Sequence, residues 1–151
     1  MIVCKSPAEL ARMRPANVLV ADVLAALRDQ VREGVTTAEL DAFAEAMVRE
    51  AGGTPAFKGY RGFPATLCTS VNEEVIHGIP GARALGAGDV VSIDLGVVLD
   101  GFYGDAAITV PVGPIADEAA ALLRVTEEAL YLGIEQARAG SRGRLANQGN
   151  D

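Results

Sequence analysis

The chain has 151 residues, half of them apolar and 22% charged, with Lys+Arg 13 against Asp+Glu 20 and a formal charge of −7. That apolar content excludes disorder over the bulk of the chain, and the acidic balance without a long basic run argues against nucleic acid as the main partner. No run of about 18 apolar residues exists to cross a membrane, and the opening MIVCKSPAEL has no apolar signal region, so one cytoplasmic globular domain is expected.

The first helix is written out from its start. Ser6-Pro7-Ala8-Glu9 is a capping box with proline at the first helical position. Leu10, Met13, Val18, Leu19, Val23, Leu24 and Leu27 follow at close to a helical period, with Pro15 expected to kink the helix and Gly34 to end it. Thr36-Thr37-Ala38-Glu39 repeats the capping signal for a second helix with Leu40, Phe43, Met47 and Val48 as its buried stripe, stopped at Gly52-Gly53. From residue 54 the texture changes to short extended runs. Residues 65–71 predict a strand, 72–74 a turn, and VIHGIP (75–80) a short run ending in a Gly–Pro bend. Residues 89–110 give the strongest β signal, with Asp100-Gly101 as a hairpin turn. A long helix is expected over 117–138, closed near Gly140, and 141–151 read as a disordered tail. Helices, then an antiparallel sheet, then a helix define the class as α+β.

The hairpin carries the chemistry. With Asp100-Gly101 as its loop, residue 99 faces 102 and residue 96 faces 105. Ile93, Leu95, Val97 and Leu99 then share a core face with Phe102, Ala106 and Ile108, and Asp94 and Asp105 share the other face as diagonal neighbours, about 7–8 Å apart at the backbone. An aspartate in a strand ordinarily points to solvent. Asp94 sits inside VVSIDLGVV, however, where a carboxylate covered on both sides is costly unless a cation or polar network meets it. Two carboxylates at that spacing can share a metal or bridge two metals about 3.5–4 Å apart. His77 is the only histidine. Its place in a loop between Asn72 and Pro80 lets the imidazole project into a cleft, where it can donate to an amide or polarise a carbonyl. Phe57, Tyr60, Phe63 and Cys68 read either as ordinary core or as an apolar pocket for one substrate side chain. The other cysteine, Cys4, adds no disulfide framework.

Together GVTTAELDAFAE, GYRGFPATLCTSVNEEVIHGIP and GDVVSIDLGVVLDGFYGDAAITVPVG resemble the N-terminal half of the bacterial-type (type I) methionine aminopeptidases, metallopeptidases of the pita-bread fold. The resemblance covers residue 5 to about 140 and implies helices packed on a mostly antiparallel sheet, with the metal site on its hairpin. Residues 1–140 would then be the N-terminal half of a pita-bread domain, and 141–151 a tail outside the family pattern. By this resemblance Asp94 chelates one metal and Asp105 bridges two divalent ions (Co, Mn, Fe or Zn). His77 becomes the catalytic histidine that contacts the substrate amide. Tyr60, Phe63 and Cys68 become walls of the methionine pocket, with Phe57 at a position that varies. The implied reaction removes N-terminal methionine from nascent proteins. The family completes its ligand set with a histidine and two glutamates from its second half, whereas here no histidine follows His77 and no glutamate follows Glu135. The expectation is therefore a chain inactive alone, self-associating through the surface the other half covers. Proline-directed peptidases of the same fold and a non-catalytic binding fragment are the alternatives, and HGIP with GFPATLCTSVNE favours the methionine branch over the former.

Overall fold

A computed structural model describes residues 4–140, which fall into two compact units dividing after Pro114. The first unit contains α1 (Pro7–Gln30), α2 (Thr37–Glu50), β1 (Thr54–Pro55), a 3-10 turn (Tyr60–Gly62), β2 (Leu67–Val71), β3 (Val90–Leu99) and β4 (Phe102–Pro111). The second contains α3 (Asp117–Gln136). The tail read from residue 141 lies outside the described residues.

Both expected capping boxes form. Glu9 N–H donates to Ser6 Oγ while Glu9 Oε2 accepts from Ser6 N–H at 2.7 Å, and Thr36 and Glu39 repeat the arrangement. Each satisfies two orphan donors at once. Helix α1 runs unbroken through Pro15 and ends at Gln30, short of Gly34. The buried row Ala16, Val20, Val23, Leu24 and Leu27 continues the helix beyond the proline, because burial outweighs one lost backbone bond. Gly34 N–H is used elsewhere, donating to Leu85 C=O at 2.8 Å.

All strand pairings are antiparallel. β3 is flanked by β4 on one side and, in succession along the other, by β2 at Val91–Leu95 and β1 at Val97–Val98. The Asp100–Gly101 turn has positive φ at both residues (50° and 79°), the geometry whose twist matches the flanking strands. It fixes Leu99 opposite Phe102 and Gly96 opposite Asp105, the register read from the sequence. One face of the sheet joins α1 and α2 in the core: Val91, Ile93, Leu95 and Val97 are buried with Val20, Leu27, Leu40 and Val48. The β4 side of this face departs from expectation. Ala106 is exposed, Phe102 and Ile108 are half-buried, and Arg12 lies over the Phe102 ring at 5.0 Å.

Helix α1 approaches β4 closely at Gly104. A Cβ there would lie 2.7 Å from the Ala16 carbonyl carbon and 2.9 Å from Asn17 N, so only glycine lets the helix seat. In the second unit, α3 has no buried residue, and Leu122, Val125, Leu130, Leu132 and Ile134 are between 47% and 66% exposed. Gly104→Ala is expected to lower unfolding stability by about 1–3 kcal/mol, the range for forced overpacking. Urea denaturation reads this, and an unchanged midpoint would mean α1 yields at no cost.

Candidate functional site

The sheet face away from the helices gathers polar side chains. Along β3 it carries Ser92, Asp94 and Gly96; their β4 partners are Thr109, Ala107 and Asp105, and Ser70 and Cys68 of β2 pair with Ser92 and Asp94. Asp94 and Asp105 are thus diagonal neighbours on one face, one half-buried and the other exposed. Asp94 Oδ1 is buried and accepts no hydrogen bond. Burial first, and then the charge of Asp105, push the Asp94 carboxyl above the usual carboxylate range, while His77 draws it back. Burial also raises the Cys68 thiol to about 11, helped by Asp94, Asp105 and Asp41, so the thiol is neutral near pH 7.

The run 75–80 forms no strand. It is a loop fixed by hydrogen bonds to neighbouring backbone. Asn72, at φ 56°, receives Val90 N–H on its Oδ1 and donates Nδ2 to Asp89. Glu74 accepts from Val71 N–H at 2.9 Å and Arg83 at 3.1 Å. Thr69 N–H donates to Gly78 C=O at 2.8 Å, and Gly78 N–H donates to Ser70 Oγ. A Cβ on Gly78 would collide with the Thr69 carbonyl, which explains the glycine. His77 is consequently held at φ 58°, exposed, beside the β2 edge and near enough to Asp94 to influence its carboxyl.

Of the four candidate pocket residues, Phe57, Tyr60 and Phe63 come from the stretch between β1 and β2, and Cys68 from β2 itself. Cys68 is buried on the aspartate face, and Phe57 lies with its ring over Gly96 on that same face. Tyr60 and Phe63 sit in the 3-10 turn and just after it; Tyr60 is 64% exposed with Arg61 over its ring at 5.4 Å, and Phe63 is half-buried. Asp41 escapes a sequence reading because it occupies a position on α2 that periodicity assigns to solvent. Its Oδ1 accepts from both Thr66 N–H (2.9 Å) and Leu67 N–H (2.7 Å), fixing the entry to the strand that carries Cys68.

Among the described residues no group of three or more His, Cys, Asp or Glu side chains is placed to hold a metal ion. The fit is therefore to part of a metal site: two hard oxygen donors on one face, one with an orphaned buried oxygen that a cation would satisfy. The fold and site together are a carboxylate-bearing hairpin in an α+β unit, with part of a metal-ligand set on one face. Residues 11–148 match the model of metallopeptidase family M24, and the chain belongs to that family. The match runs on into the stretch after Gly140. Methionine aminopeptidase 1 of Bacillus subtilis is 49% identical over 142 residues, 94% of this chain and 57% of that protein, and the Clostridium perfringens methionine aminopeptidase is 50% identical over the same shares. The crystal structure of the Thermotoga maritima methionine aminopeptidase superposes with a TM-score of 0.89 at 38% identity, covering 91% of this chain and 56% of that one. The chain spans about half the length of the curated relatives it matches.

Two outcomes follow from the site's electrostatics and its support. An ionised Asp94 costs the metal-free fold free energy, because its folded pKa is raised; this cost appears as pH rises from the ordinary carboxylate range, about 4, toward 7. In chelator, Asp94→Asn is expected to be more stable than the parent at pH 7, with the gap shrinking as pH falls toward 4. A gap of constant size, or a less stable variant, would contradict this. Asp41→Ala strands two backbone donors and is expected to cost about 1–3 kcal/mol in urea unfolding.

Proposed function

We propose that the chain provides the first two metal ligands and part of the substrate pocket of a methionine aminopeptidase, which removes methionine from the N-termini of nascent cytoplasmic proteins. The observation that carries this reading is the diagonal placement of Asp94 and Asp105 on one sheet face, with Asp94 Oδ1 buried and unpartnered. The relatives named above support the substrate class, since both curated matches bear that activity in their names.

Asp94 would chelate one divalent ion and Asp105 would bridge two, of the Co, Mn, Fe or Zn kind. Divalent metal there supplies Lewis-acid activation of water and of the scissile carbonyl. His77, exposed on its loop, would donate to the substrate's amide and steady the charge that develops on the carbonyl oxygen. Cys68, Phe57, Tyr60 and Phe63 would wall the methionine side chain, with the Cys68 thiol kept neutral by its burial. Two carboxylates are fewer ligands than a pair of transition metals takes, so further donors come from outside this stretch or from a second copy. Self-association is part of the reading, through the surface that the family's second half covers.

Manganese titration tests the ligand assignment. The parent chain is expected to gain stability by RT ln(1 + [Mn]/Kd), and Asp94→Asn and Asp105→Asn to gain little. Equal gains in all three proteins would overturn the assignment. Methionine release from Met-Ala-Ser with Mn or Co, beside the Asp94→Asn control, tests the activity. Little release is expected from a chain that remains monomeric in light scattering, and release abolished by Asp94→Asn is expected where a second copy completes the site. Release that Asp94→Asn leaves intact would overturn the aminopeptidase reading.

A further inference from the structure

Gly96 is an unusual residue for its place. It lies in the interior of the ten-residue strand β3, where glycine forfeits side-chain packing and costs backbone entropy, and it is buried. A glycine retained there marks a close approach, and the approaching group is the Phe57 ring. A Cβ built on Gly96 would run into Phe57 Cε1 and lie 3.0 Å from both Cδ1 and Cζ. The approach follows from the chain path. β1 ends at Pro55, opposite Val97, and Ala56 N–H donates to Gly96 C=O at 2.8 Å. Residue 57 is the next along, so its side chain turns back over the strand at Gly96. Gly96 faces Asp105 directly across the β3–β4 ladder and is two residues from Asp94 on the same face. The ring therefore bounds one end of the face that holds the two aspartates.

We propose that Gly96 is a specificity-determining residue, acting through Phe57: lacking a Cβ, it lets the ring lie flat on β3 and so sets the room left beside Asp94 and Asp105 for a substrate side chain. This rests on the aminopeptidase reading above. Any Cβ at 96 pushes the ring off the strand into the space over that face, shortening the room for a long unbranched side chain. Positions 57 and 96 are thus coupled in volume, and a smaller residue at 57 should make a Cβ at 96 tolerable.

The test uses the full chain, metal-free, as the parent, Gly96→Ala, Phe57→Ala and the double variant. Saturation-transfer NMR gives the affinities of free L-methionine and L-norvaline, and urea unfolding gives stability. The parent is expected to prefer methionine, and Gly96→Ala to lower the methionine-to-norvaline affinity ratio about 10-fold, the lower end of what a methylene commands in an apolar pocket. The double variant is expected to regain both the ratio and the stability lost in Gly96→Ala. A Gly96→Ala protein that is less stable but keeps the parent ratio would overturn the proposal and leave Gly96 a packing residue. A double variant that stays at the Gly96→Ala ratio would overturn the route through Phe57. Failure of the parent to bind either amino acid would overturn this proposal, since the room beside Gly96 would then take no side chain, and would leave the ligand assignment to the manganese titration.

Discussion

The register of the β3–β4 hairpin is the constraint on which the rest of the first unit depends. Side chains alternate across a sheet, so sliding β4 by one residue would carry Asp105 to the helix-covered face and Gly104 off the close contact with Ala16. Two features lock the register independently. Asp100 and Gly101 both hold positive φ, the geometry of a two-residue hairpin loop, and the alternation of Ile93, Leu95 and Val97 permits one face only toward α1 and α2. The same decision that buries the core row therefore exposes the carboxylate pair. Fold and site share one degree of freedom.

The opposite side of β3 is more fragmented. β2 and β1 follow one another along it, and Gly96 lies between their pairings, where the chain entering from β1 crosses over the strand. Asp41 secures the start of β2, and the Asn72 and Glu74 side chains secure its end. Cys68 is buried beside Asp94 as a result, and that burial, helped by the charges of Asp94, Asp105 and Asp41, keeps its thiol protonated. The strand beside this face is secured by side-chain hydrogen bonds from Asp41 of α2 and from the 72–84 loop, whereas the larger apolar core packs on the other side.

Local signals were the legible ones. The capping boxes at Ser6 and Thr36 and the Asp100-Gly101 turn each encode their geometry within four residues, and alternation in β3 placed Asp94 and Asp105 together. What stayed hidden depends on partners far away in sequence. That α1 continues through Pro15 depends on the buried row beyond it, which packs against strands far along the chain. β1 is two residues long and contains a proline, so it has no period, and it exists because β3 offers Val97 and Val98 a partner. Asp41 looks like a solvated helix position because its acceptors' partners, Thr66 and Leu67, lie about 25 residues downstream. The exposure of Ala106 depends on where α1 passes over β4, which no pattern within β4 states.

The loop that carries His77 holds exposed apolar side chains, Val75 at 88% and Ile76 at 68%, on a backbone tied at Asn72, Glu74, Gly78 and Gly81. Apolar groups held in water gain nothing from the fold, so the order here comes from hydrogen bonds, the Glu74–Arg83 ion pair and the fixed φ of Pro80. Fixing a residue's backbone costs about 1–2 kcal/mol, and for this loop that entropy is surrendered when the chain folds, before any ligand arrives. A molecule landing on the loop meets a preorganised surface, keeps the hydration free energy released by covering Val75 and Ile76, and loses almost none of it to ordering the protein.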